Sequence, residues 1–200
     1  MLQQRIKEQN VAAYLTIMSI IQGVALSFFT LIVADQYQAL SNSTWILVVC
    51  TFLVIIFTWF EYIMGISAFV WLHGLLDSII PFSLFVGEAM LIHTMTSSSG
   101  SWYFSMSIFC LIGLVAFINM YYKSSLEPEN KDLLKWLGNW KWMTILYIAL
   151  SLIAFVLGWK YWSTNASPYY ASIALFLIVV FLLRSKFYWS KILRYAKEHA

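Results

Sequence analysis

The chain has 200 residues, 62% of them hydrophobic and only 10% charged, with a formal net charge of +3. A soluble domain carries roughly 25% charged residues, and a chain of this length could not hide so much apolar surface from water. A soluble globular class is therefore excluded. The ~10-residue apolar–polar alternation of a membrane barrel is absent too. The apolar residues instead come in blocks close to the ~20 residues that carry a helix across a bilayer. An all-α, polytopic transmembrane helix bundle is expected, as a single membrane domain over 1–200.

The N-terminal MLQQRIKEQN precedes an apolar run over 11–34. The run exceeds the roughly 7–15 residues of a signal-peptide core and lacks an A-x-A-like site, so a retained first span is expected. Thr16, Ser19, Gln22, Gly23, Ser27 and Thr30 follow helical spacing along it, with Ser19, Gly23 and Ser27 as a small-xxx-small series. Such a face lets helices approach closely in lipid, within one subunit or between subunits, or it lines a pore.

Further spans are expected over 45–66, 69–95, 102–122, 142–159 and 168–184, six in all. The middle boundary is set by charge. Arg5 and Lys7 precede the first span, Lys123, Lys131, Lys135 and Lys141 follow the fourth, and Arg184, Lys186, Lys191, Arg194 and Lys197 close the chain. Only Lys160 falls elsewhere. The positive-inside rule puts those eleven bases on one side of the membrane. Residues 45–95 must then cross twice, and both termini are cytoplasmic. The hairpin turns either at 61–67, beside Trp59, Phe60 and Tyr62, or at 73–78. The second is preferred because it offers a Gly, a capping Asp77 or Ser78, and Pro81 in the first turn of the next helix.

The acids of this region carry the sharpest question. Glu61, Asp77 and Glu88 lie in apolar sequence with no base between Lys7 and Lys123, and a charged carboxylate there costs several kcal/mol by insertion scales. Residues 77 and 88 are eleven apart, three helical turns, and His73 and Asp77 are four apart. With Gln22, Ser19 and Ser27, these acids and His73 form either an ion or proton pathway or a buried hydrogen-bonding face, and Gln22 is a natural partner. His73 and Asp77 alone make no metal site, and the dispersal of His73, His93 and His199 disfavours haem. No cofactor or metal is expected. Cys50 and Cys110 lie in apolar sequence and read as buried thiols.

Residues 123–141 read as an amphipathic cytoplasmic segment, with Asn130 as N-cap, Gly138 as stop, Leu133, Leu134, Trp136 and Leu137 alternating with Lys131, Asp132 and Lys135, and Trp140 and Trp142 at the headgroups. The fifth span carries a second polar stripe of Thr144, Tyr147, Ser151, Ala154 and Gly158. The tail 185–200 mixes Phe187, Tyr188, Trp189, Ile192 and Tyr195 with bases that suit anionic lipid. Trp136, Trp140, Arg184, Lys186, Lys191, Arg194 and Lys197 are the expected lipid or partner docking residues.

No segment is long enough for a soluble catalytic domain, GxxxxGK[ST], HExxH and GxSxG are absent, and the basic field is too small for nucleic acid. The expectation is a non-enzymatic, homo-oligomeric sensor or anchor subunit in the plasma (inner) membrane, if bacterial. It would dock a cytosolic partner, as in an effector or defence assembly. A cation or proton channel using the intramembrane carboxylates is the alternative.

Overall fold

The computed structural model describes residues 2–71, 74–162 and 168–199. They form helices α1 (Leu2–Gln36), α2 (Asn42–Ala68), α3 (Leu75–Thr94), α4 (Ser99–Leu126), α5 (Lys131–Leu137), α6 (Trp140–Trp162) and α7 (Pro168–Glu198). All but α5 are long and apolar enough to cross a membrane. The protein is thus a multi-pass integral membrane helix bundle. Among the described residues, short 3₁₀ turns follow α1 and precede α5, and there is no strand.

Local chemistry explains several ends. Ser41 caps α2 by accepting from the Thr44 N–H at 3.2 Å, and Ser98 caps α4 by accepting from Ser101 N–H at 3.1 Å. Gly138 stops α5 with φ +59°, a conformation that costs glycine little. The α2–α3 connection falls at 69–74, between the two expected positions and nearer the second. Gly74, not Asp77 or Ser78, occupies the N-cap. Asp77 instead sits at N3 and accepts from the Gly74 N–H at 2.6 Å, the return half of a capping box. Pro81 lies inside α3, beyond its first turn.

The six long helices form a ring. α1 packs between α2 and α3, α2 against α7, α3 against α4, and α4 against α6; α6 and α7 close the circle through the thinnest of these contacts. A Cβ on Gly87 would come within 2.9 Å of Phe109 Cδ2, so glycine there sets how closely α3 approaches α4. Antiparallel alternation brings both termini, the 69–74 connection and α5 to one end, which also carries the basic clusters.

One apolar cluster fills the centre and the opposite end. Trp102 is fully buried there and donates its Nε1–H to Thr51 Oγ1 at 2.9 Å, meeting the need of a buried indole for an acceptor. A second cluster lies at the basic end, where Phe69, Trp71, Leu133, Leu137, Tyr188 and Ile192 surround Trp140. Outward-facing Ile20, Leu31, Phe82, Val86, Leu150 and Phe176 give the bundle a lipid-compatible exterior.

α7, at about 46 Å for 31 residues, exceeds the ~30 Å hydrocarbon core. The basic tail is thus a continuation of the last span, not a separate segment after residue 184.

Candidate functional site

Three polar constellations lie inside the bundle. The deepest joins α1 to α3. Gln22 and Glu88 are 4% and 0% exposed, and the Gln22 amide Nε2 donates to both carboxyl oxygens, at 3.0 and 3.2 Å. A second rung joins the same helices where Tyr14 and Ser78 hydroxyls meet at 2.9 Å. Ser19 and Ser27, expected to share a surface with Gln22, do not. Both point outward, and Ser27 donates to its own helix at the Gly23 carbonyl, 2.8 Å away. A Cβ at Gly23 would meet nothing within 4 Å. The helical spacing was real, but Gln22 lies on the opposite side of α1, with Tyr14, Met18, Ile21 and Ala25. Gln22, Ser19 and Ser27 therefore line no common pore within the chain.

The second constellation sits at the basic end of α3. Asp77, 5% exposed, forms an ion pair with Lys123 and accepts from Asn119 Nδ2–H at 2.7 Å, besides capping α3. It is satisfied by protein and not by water or headgroups. Asp77 faces α4 while Glu88 faces α1, so the two acids do not form one continuous stripe. His73 lies outside the described residues. Both α4 groups were missed from sequence, although a signal existed. Asn119 and Lys123 are four apart and share a helical face, at about the same distance from the short 95–98 hairpin as Asp77 on the other arm.

The third constellation surrounds an interior cavity of about 190 Å³ bounded by α2, α3, α4, α6 and α7. Its walls are mostly apolar; Glu61, Asp77, Asn119, Thr58, Thr144 and Ser151 are among the polar members, and Tyr62, Trp71 and Tyr147 add aromatic rings with a polar tip. The polar stripe of α6 thus faces inward, unlike that of α1. Glu61 Oε1 is enclosed without a hydrogen-bond partner, and Arg184 and Ser185 of α7 are its polar neighbours. Arg184 is not an outward docking base. Its Nη2 donates to Thr144 Oγ1, and its guanidinium lies over the rings of Phe181 and Tyr188, at 4.9 and 5.1 Å. Three turns of apolar helix precede this position, and an arginine so placed can reach inward for an acceptor rather than out into lipid.

The basic end is built as one unit with this interior. Trp140, expected at the headgroups, is 2% exposed and stacks on Phe69 with centroids 5.3 Å apart, edge-on to Phe117 at 5.1 Å. The indole of Trp142 takes the exposed position instead. Asn130 precedes α5 but makes no side-chain cap. It clasps the α2–α3 connection: Val70 N–H donates to Oδ1 at 3.0 Å, and Nδ2 donates to the carbonyls of Val70 and Ser124 at 2.6 and 2.8 Å. Trp136 stays partly exposed beside Tyr195, and Lys191 donates to its carbonyl at 3.4 Å. Lys186, Arg194 and Lys197 remain exposed.

Among the described residues no group of three His, Cys, Asp or Glu side chains could hold a metal ion. No protein-family model, curated protein or solved structure matches the chain. The geometry alone therefore carries the functional assignment.

Proposed function

We propose that the chain is a non-enzymatic membrane sensor or anchor subunit. It uses its basic end to hold a cytosolic partner, in the inner membrane if the source is bacterial. The supporting observation is the rigid union of that end with the bundle. α5 and the α7 extension share a buried aromatic cluster with the 69–74 connection, and Asn130 ties that connection to α4. A face mounted this way moves with the spans, which a docking anchor requires and a mere topology signal does not. Its outward residues are Trp136, Lys186, Arg194 and Lys197, with exposed Phe187 and Leu193 between the bases. A mix of aromatic, aliphatic and basic side chains suits an acidic protein surface. The outward small-residue face of α1 is available to a second copy of the chain, in keeping with a homo-oligomer.

Affinity purification from native expression levels in mild detergent tests the proposal, with the charge-reversed variant Lys186→Glu/Arg194→Glu/Lys197→Glu alongside. A cytosolic protein retained by the native chain and lost from the variant is expected. Recovery of the native chain alone would overturn the proposal.

A second function is favoured by one specific observation, that Glu61 and Asp77 border the same cavity. Carboxylates so placed suit a cation or proton pathway. Flux into liposomes carrying Glu61→Gln or Glu88→Gln separates the two. Absent or unchanged flux removes the pathway, and altered selectivity supports it.

A further inference from the structure

We infer that the interior cavity binds a small apolar molecule bearing one hydrogen-bond-donating head, an alcohol or an amine, seated against Glu61. This goes beyond partner docking, since it concerns the membrane interior and its test uses the chain alone.

Size comes first. The cavity holds about 190 Å³, and an apolar cavity near 150 Å³ suffices for one benzene ring. Phe57, Phe117, Tyr147 and Phe181 give it aromatic walls. Gly113 stands within the α4 stripe that lines it, with Met106, Phe109, Cys110, Ala116 and Phe117 on either side, and a Cβ there would meet nothing within 4 Å. The space is thus a void at a single-ring scale.

The polar lining determines the head group. Hydroxyls of Thr58 and Thr144 donate to the carbonyls of Val54 and Trp140, at 2.8 and 2.6 Å, and Tyr147 donates to the carbonyl of Leu177. Each of these hydroxyls has spent its proton on the backbone and can offer a guest only an acceptor lone pair. Asp77 is saturated by Lys123, Asn119 and Gly74. Glu61 Oε1 has no donor at all, and an enclosed acceptor without a donor is costly. Arg184 and Ser185 stand beside the carboxyl group and the guanidinium acts on it through its charge, but the Arg184 Nη2 hydrogen bond goes to Thr144 and leaves Oε1 without a donor within bonding distance. Among the described residues that line the cavity, Glu61 Oε1 is thus the acceptor left open to an N–H or O–H of a guest.

The test is fluorine NMR on the full chain in phosphatidylcholine nanodiscs, with empty nanodiscs as baseline. Three probes share one ring: 4-fluorobenzyl alcohol, 4-fluorobenzylamine and the methyl ether of the alcohol, which lacks a donor. Saturable broadening of the alcohol or the amine is expected, with the ether at least tenfold weaker; comparing the first two tells a neutral head from a cationic one. Gly113→Leu fills the space from a helical position and should abolish saturable binding. Glu61→Leu should erase the advantage over the ether. If Glu61→Leu does not fold, Glu61→Gln still reports, because an amide must change the order of amine and alcohol. Equal binding of ether and alcohol by the native chain, no saturable binding of any probe, or binding untouched by Gly113→Leu would each overturn the inference.

Discussion

Replacing Glu88 by Leu removes the acceptor on which Gln22 depends. Both residues are buried, at 0% and 4% exposure, and the amide makes two hydrogen bonds to the carboxyl group, at 3.0 and 3.2 Å. Gln22 Oε1 has no donor, so after the substitution the whole amide is stranded. A buried polar group left unpaired costs about 1–3 kcal/mol. In a membrane the measured average for interhelical hydrogen bonds is nearer ~0.6 kcal/mol, with a maximum of about 1.7, because the unfolded chain also finds partners. A coupling energy of roughly 0.6–1.7 kcal/mol is therefore expected from the cycle Gln22→Leu, Glu88→Leu and the double variant, about 3- to 18-fold in the unfolding equilibrium. Glu88→Gln should be close to neutral, since a second amide can accept from Nε2 and donate to the otherwise unpartnered Oε1. Unfolding in mixed micelles of rising dodecyl sulfate fraction measures all four. Coupling below about 0.3 kcal/mol, or Glu88→Gln as damaging as Glu88→Leu, would refute the view that this pair fastens α1 to α3.

Three further outcomes are expected. Trp140→Ala should destabilise by about 3–5 kcal/mol, since its indole is 2% exposed and packed on Phe69 and Phe117; the same change at exposed Trp142 should stay within about 0.5 kcal/mol, and the same micelle titration compares them. Asn130→Leu keeps the volume but strands Val70 N–H and the Val70 carbonyl, at about 1–3 kcal/mol per stranded group; faster hydrogen exchange confined to residues 69–74 and the start of α5 is the readout. With Cys50 and Cys110 buried, a single added thiol reports sidedness: Lys197→Cys should react with an impermeant maleimide only from the cytoplasm and Lys160→Cys only from outside, and the reverse pattern would invert the orientation.

The spans were legible because length and hydropathy act through every residue of a segment. Six apolar blocks and one-sided charge were enough to require that 45–95 cross twice, and α2 and α3 divide that stretch. Side-chain roles were less legible, because they depend on which helix stands opposite. The spacing of Ser19, Gly23 and Ser27 describes a real face of α1, yet nothing in the sequence tells whether that face meets protein, and within this chain it does not. Arg184 counted correctly as a basic-end charge, but its long side chain turns back to Thr144 across the α6–α7 contact. Asn130 has the composition of a helix cap, and the composition is equally that of a clasp; only the position of Val70, sixty residues away, decides between them.

These misplacements have a common physical source. In lipid a polar side chain has few places to go, so it seeks a partner on another helix when its own neighbours offer none. Lys123, Arg184 and Asn130 all belong to the basic end and each turns a donor inward, to Asp77, Thr144 and Val70. The bases left outside at this end include Lys131 and Lys135 of α5 and Lys186, Arg194 and Lys197 of the α7 extension. Each acid of the interior then differs by what faces it: Asp77 has a cation, Glu88 has an amide, and Glu61 Oε1 has neither within bonding distance. A buried acceptor in that position either draws in water or is completed by a guest. The aromatic walls around it and the open space at Gly113 favour a guest with an apolar body.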